Sequence, residues 1–394
     1  MDAEQSKLTG MDTTLDRRSF LRDGAATVAA STIAATGLSH PGHGAVGAPT
    51  AAERGQMADA VTGFMKTYEV PGLGIAIVRQ GRLVYEEAFG FADVDARTAL
   101  TPTHRFRIAN ISKPITAVAI FKLIEQGKLT LGDRVLGSSG ILQNDYGPVP
   151  ADSRLGNITV EHLLTHTAGG WPNDETDPMG KQRALDHAGL IAWTLKERPL
   201  DHPPGAVFAY SNFGYCVLGR VIEKVTRRPY PAFAEAAVLS QVGATGMEIG
   251  GNTLAERRSD EVRYYGRGKD DPYGINVRRM DSHGGWIARP AAIALFASNI
   301  DGSATPPVLK HSSIETMTTP SAANAHYAKG WRVNNQRNWW HTGHLPGTSG
   351  LMVRTHSHFC WAALLNARHR GDDLDRDLDR LMWTIVGKVQ GWRA

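Results

Sequence analysis

Cysteine is almost missing from this chain: two of its 394 residues, Cys216 and Cys360, each inside an apolar run. Two thiols in such settings make no disulfide framework, and without a C-x-x-C or His-Cys cluster they supply no structural metal site. Both are expected to be buried and free. Long hydrophobic runs are missing too. A weakly apolar run, Gly24 to Leu38, covers about 15 residues, short of the ~20 a membrane-spanning helix needs. Charge of one sign is not in excess either. The 43 Lys and Arg against 39 Asp and Glu leave a net +4 spread along the sequence. No basic run or aromatic-basic stripe is present, so nucleic acid is not expected as a partner. What remains is ordinary globular composition, 42% hydrophobic and 21% charged, enough for a large core and without a motif that calls for a cofactor.

The N-terminus is more specific. Arg17-Arg18 precede Ser19-Phe20-Leu21, then the mild Ala- and Thr-rich segment and the small residues Gly44-Ala45-Val46-Gly47-Ala48. This pattern resembles a bacterial twin-arginine export signal, with Met11 an alternative start. Residues 1–48 are therefore expected to be signal and linker. The mature protein is expected to be periplasmic or secreted, with no stable membrane insertion once the signal is removed.

Further along, Gly74 to Val78 and Leu83 to Glu86 are β-rich runs around a Gly-containing turn, the pattern of a hairpin. Pro114 to Gln126 has helical spacing, with Pro tolerated in the first turn and Gly127 as a stop. Helical patterns dominate the middle, at Val160–Leu164, Val217–Val225 and Tyr230–Leu239. Another helix, Pro290–Asn299, precedes strands at 330–333, 338–341, 350–354 and 359–364 and a terminal helix over 375–389. Strands at both ends around a helical middle imply an α/β (α+β) fold, an antiparallel sheet flanked by helices with a mostly helical insertion. The expected organisation is one domain over 55–390, with a sheet region at 55–134 and 275–390 and a helical insert at 135–274.

Three short elements carry the chemistry. Asn110-Ile111-Ser112-Lys113 opens the first helix and places a Lys one turn after residue 110. Tyr210-Ser211-Asn212 follows about 100 residues later, and His341-Thr342-Gly343, continuing to His344, about 130 after that. Each alone is a weak signal; the three in this order, with Leu163-Leu164-Thr165-His166-Thr167 and the segment Met280 to Trp286 as further landmarks, are a strong one. Together they resemble the serine β-lactamases and penicillin-binding proteins, in the branch with class C β-lactamases, esterases and D-amino-acid peptidases. The resemblance covers about 55–390 and implies the β-lactamase/transpeptidase fold. It departs at one place: the S-x-x-K nucleophile position holds Asn110, whose carboxamide has no ionisable O–H.

The resemblance implies roles. Lys113 and Tyr210 would be the proton-handling pair, Tyr210 lowered in pKa by the nearby cation and Lys113 lowered by burial and the helix dipole. Asn212 would bond the substrate's amide or ester side, and His341 and Thr342 its polar end. The backbone N–H groups of residue 110 and His344 would form an oxyanion hole, which survives any side-chain change at 110. Ser112 and Ser211 are expected to point away and not to replace the nucleophile. His162 and His166 sit four apart but lack the Glu of H-E-x-x-H, so no metal is expected. The ligand would be a small-molecule or peptidoglycan-like acyl compound. Three functions stay open: an exported acyl hydrolase of ester, amide or β-lactam substrates, a binding-only pseudoenzyme, or a non-covalent Lys/Tyr acid–base enzyme such as a lyase, isomerase or cyclase.

Overall fold

The computed structural model describes residues 47–150, 153–302, 306–368 and 373–392, so the twin-arginine segment lies outside the described residues. The chain divides into two compact units, 1–68 with 370–394, and 69–369. In the smaller unit, helix α1 (Ala51–Tyr68) packs against a long C-terminal helix (Asp373–Lys388). The Tyr68 hydroxyl donates to Asp377 at 2.5 Å, and Gln390 N–H donates to Glu53 at 2.9 Å.

The larger unit is built on strands β1 (Gly72–Arg79), β2 (Arg82–Asp93), β3 (Thr98–Ala99), β4 (Phe106–Arg107), β5 (Glu248–Ile249), β6 (Trp286–Ala288), β7 (Arg332–Val333), β8 (Trp339–Leu345), β9 (Thr348–Arg354) and β10 (Phe359–Leu365). Seven of them form one antiparallel sheet in the order β3-β2-β1-β10-β9-β8-β7; β4, β6 and β5 form a second, small one. The expected hairpin is β1 and β2, turning at Gln80-Gly81 with both residues at positive φ, as the right-handed strand twist favours. β1 pairs on its other side with β10, Gly74 opposite Leu364, so the first strand of the sheet lies beside the last.

The helices are α2 (Ser112–Glu125), α3 (Val160–Leu164), α4 (Pro178–Lys181), α5 (His187–Glu197), α6 (Asn212–Thr226), α7 (Tyr230–Ala234), α8 (Pro290–Asn299), α9 (His311–Thr318) and α10, the C-terminal helix given above. α8 begins at the expected Pro, where the missing N–H costs nothing, and lies on β1, β9 and β10. α2 is buried on nearly every side from Ser112 to Phe121, and this all-round apolar sequence makes it the core helix beside the site. Both cysteines are free and buried, and burial pushes the Cys216 thiol up to about 12. No helix among the described residues is long and apolar enough to cross a membrane.

Candidate active site

A short turn of 3-10 helix, Ala109–Ile111, runs straight into α2. Ala109 adopts φ +49°, a left-handed conformation that costs a non-glycine residue energy and that the surrounding structure holds in place. The turn sits against β8. A Cβ at Gly343 would run into the Ile108 carbonyl oxygen and lie 3.2 Å from the Ala109 Cβ. Only a residue without a side chain lets the strand come this close.

Lys113, one turn into the helix, is fully buried. Its ammonium donates to Asn212 Oδ1 at 2.6 Å, to Asn110 Oδ1 at 3.2 Å and, at 3.5 Å, to the His283 carbonyl. It also lies 4.6 Å from the ring centroid of Tyr210 and 5.6 Å from that of Tyr215. Burial lowers its pKa well below the usual lysine range, opposed by the charge of Asp177. The direction is the expected one, and its largest cause is loss of water.

Tyr210 is a correction. Its phenol is pushed well above the ordinary value, not below it, because burial disfavours the phenolate and Tyr327 adds to the effect. Lys113 meets the face of its ring, and the hydroxyl is directed at His341 Nε2, 3.5 Å away. Tyr327 reaches the same nitrogen at 3.2 Å, while His341 Nδ1 lies 2.6 Å from the Thr342 carbonyl. That geometry places the imidazole proton on Nδ1 and leaves Nε2 to accept. Burial and the Lys113 charge keep His341 well below the ordinary histidine value, hence neutral at pH 7.

The structure therefore gathers Asn110, Lys113, Tyr210, Asn212 and His341, with Gly343 against the nucleophile turn. Thr342 and His344 alternate to the other side of β8, partly exposed, with His344 Nδ1 3.4 Å from Ser349 Oγ. β7 pairs only with Trp339 and Trp340, so the β8 edge from His341 onward has no strand partner there among the described residues. Ser211 caps α6, its Oγ accepting from Gly214 N–H at 3.1 Å, and Ser112 is buried with no hydrogen-bond partner for its Oγ among the described residues.

The histidine pair proves to be backbone support. His162 Nδ1 accepts from Thr159 N–H, closing the cap of α3. His166 Nδ1 accepts from Ser211 N–H at 3.1 Å, with its ring 4.2 Å from that of Tyr210, so it holds the Tyr-Ser-Asn segment in place. Sequence reasoning missed Asn173, Asp177 and Tyr327. Asn212 Nδ2 donates to Asn173 Oδ1 at 2.5 Å and to Asp177 Oδ2 at 3.5 Å. All three come from loops or a one-turn helix, where no periodicity marks them.

Comparison with known proteins identifies the family and the fold. The "Protein flp" of Staphylococcus aureus (strain NCTC 8325 / PS 47) is 26% identical over 302 residues, covering 72% of this chain and 57% of that protein. "Esterase EstB" of Burkholderia gladioli is 32% identical over 228 residues, covering 53% and 55%. The chain thus spans a little over half the length of these curated relatives. The crystal structure of the D-amino acid amidase of Ochrobactrum anthropi SV3, complexed with L-phenylalanine amide, superposes with a TM-score of 0.68 at 18% identity, over 84% of this chain and 99% of that one. This likeness shows the fold, that of the β-lactamases and transpeptidases. With the family model named Beta-lactamase matching residues 57–382, the chain belongs to the β-lactamase family.

Proposed function

We propose that this protein takes small acyl ligands, esters, amides or β-lactams, into the Lys113 pocket and forms no acyl-enzyme with them. The observation that carries this reading is the contact between Lys113 Nζ and Asn110 Oδ1 at 3.2 Å. Where the family pattern has a hydroxyl that gives its proton to the lysine, this chain has a carbonyl-type oxygen that only accepts. The remaining apparatus fits ligand binding: Asn212 bonds Lys113, His341 lies beside Tyr210, the β8 edge is open, and the amidase and esterase among the similar proteins act on acyl compounds by name. The N–H groups of residue 110 and His344 are assigned to the ligand's carbonyl oxygen. The direct Lys/Tyr proton exchange of a lyase or isomerase is less well served, since the Tyr210 hydroxyl is turned to His341.

The test is intact-mass spectrometry with an activated ester and a reporter β-lactam. Saturable binding is expected, with no added mass on the unmodified chain. A stable adduct on any serine would overturn the reading.

Export belongs to the same proposal. Arg17-Arg18 before a mild apolar segment suit the route that carries folded proteins. Changing both arginines to Lys is expected to retain the protein in the cytoplasm of a bacterial host. Unchanged fractionation would reject this.

A further inference from the structure

The Asn212 carboxamide lies between two polar groups of opposite demand. Its oxygen accepts from the Lys113 ammonium at 2.6 Å; its nitrogen donates to Asn173 Oδ1 at 2.5 Å and, more weakly, to Asp177 Oδ2 at 3.5 Å. An amide against another amide can sit either way round, but an ionised carboxylate accepts only. The Lys113 ammonium only donates and the Asp177 carboxylate only accepts, so the two fix the amide from opposite ends. Asp177 is almost wholly buried, and its other oxygen accepts from Met179 N–H at 2.9 Å as the cap of α4. Its charge opposes the effect of burial on Lys113.

We propose that Asp177 is a positioning residue of this site, helping to fix the Asn212 amide with its oxygen toward Lys113 and placing a negative charge one amide away from the lysine. The assignment deepens the acyl-ligand reading and rests on it only for the use made of that charge. The other groups facing the pair are accounted for. His166, His341 and His283 are buried and kept neutral, burial first and the Lys113 charge second. Tyr210 and Tyr215 present ring faces to Lys113. On the Asp177 side, Asp174 raises its pKa, and Arg279 feels its charge while donating to the Met179 carbonyl at 2.7 Å. Burial pushes the Asp177 carboxyl up to about 6, restrained by Met179 N–H, Asn212 and Lys113. The carboxylate is thus the main form at neutral pH.

The experiment is a pH titration of the Lys113 side chain by NMR on lysine-labelled full-length protein, the resonance assigned by its loss in Lys113→Met. Asp177→Asn is expected to lower the Lys113 midpoint by about one pH unit, the usual size for loss of a close opposite charge. Asp177→Ser, which keeps a helix-capping oxygen without the charge, is expected to give the same shift. A midpoint unmoved in a folded variant overturns the proposal and leaves Asp177 as a cap alone. In an Asn110→Ser background the pH profile of acylation is expected to move in parallel. If that background shows no turnover, the site is altered beyond residue 110, while the titration still decides the role of Asp177; loss of saturable acyl-ligand binding by the unmodified chain is what fails the acyl reading.

Discussion

Asn110→Ser is expected to raise hydrolysis of an activated ester by roughly three orders of magnitude or more, the scale on which serine enzymes depend on their nucleophile. Residue 110 already faces the lysine: its side-chain oxygen stands 3.2 Å from Lys113 Nζ. A serine there would replace an acceptor by a group able to donate, and the buried amine, whose pKa burial has lowered, would have a proton to take. The strained Ala109 turn and the close Gly343 approach belong to the backbone, so they survive the exchange. Mass spectrometry should find the acyl group on the introduced serine, and Lys113→Met in the same background should remove it. A folded Asn110→Ser variant with neither turnover nor adduct would mean that the site is altered beyond one side chain.

The second large effect concerns stability. Asp281 and Arg220 form a buried ion pair at 2.7 Å, with Glu223 on the other side of Arg220 and His187 near Asp281. Asp281 is one residue from Ser282, whose carbonyl accepts from Thr116 of α2, and two from His283, whose carbonyl faces Lys113. Burial pushes the Asp281 carboxyl up, but His187 and Arg220 overcome it and hold it at about 2. Removing one partner leaves a buried cation short of its counter-charge, so Asp281→Ala is expected to destabilise the larger unit by about 3–5 kcal/mol. The sign of the pH dependence follows from the lowered pKa. The stability from this carboxylate is present above about pH 4 and is lost as pH falls toward 2, on the order of 2–3 kcal/mol in all. Denaturant melts at pH 7, 4 and 3 check this: the gap between the natural chain and Asp281→Asn should narrow as pH falls. A constant gap would assign the loss to packing instead.

Where local chemistry decided the outcome, the sequence was legible. The β1–β2 hairpin and α8 lie where the β-rich runs, the Gly turn and Pro290 put them. α2 starts two residues before the expected Pro114, because the 3-10 turn feeds directly into it. Lys113, Asn110, Asn212 and Tyr210 were legible through motif order. The environment of each was not. The resemblance implied a cation near Tyr210, but the direction of the phenol's shift depends on how much water the fold excludes. Asp177 and Asn173 escaped for a related reason. They sit in a loop and at the cap of a one-turn helix, and their meaning comes from Asn212, which folding brings beside them.

Pairing β1 with β10 has a consequence for how the molecule is made. Gly74 and Leu364 are neighbours in the sheet yet lie about 290 residues apart in the chain. At ribosomal speeds of roughly 5–20 residues per second, the N-terminal hairpin leaves the tunnel about 15–60 s before its partner strand exists. For that interval β1, which is almost wholly buried in the finished sheet, has one hydrogen-bonding edge unpaired. Closing so long a loop comes late and slowly, so the nascent chain should be a client of holding chaperones until β10 emerges. Truncation before Phe359 should leave a product that aggregates and does not fold as a smaller unit.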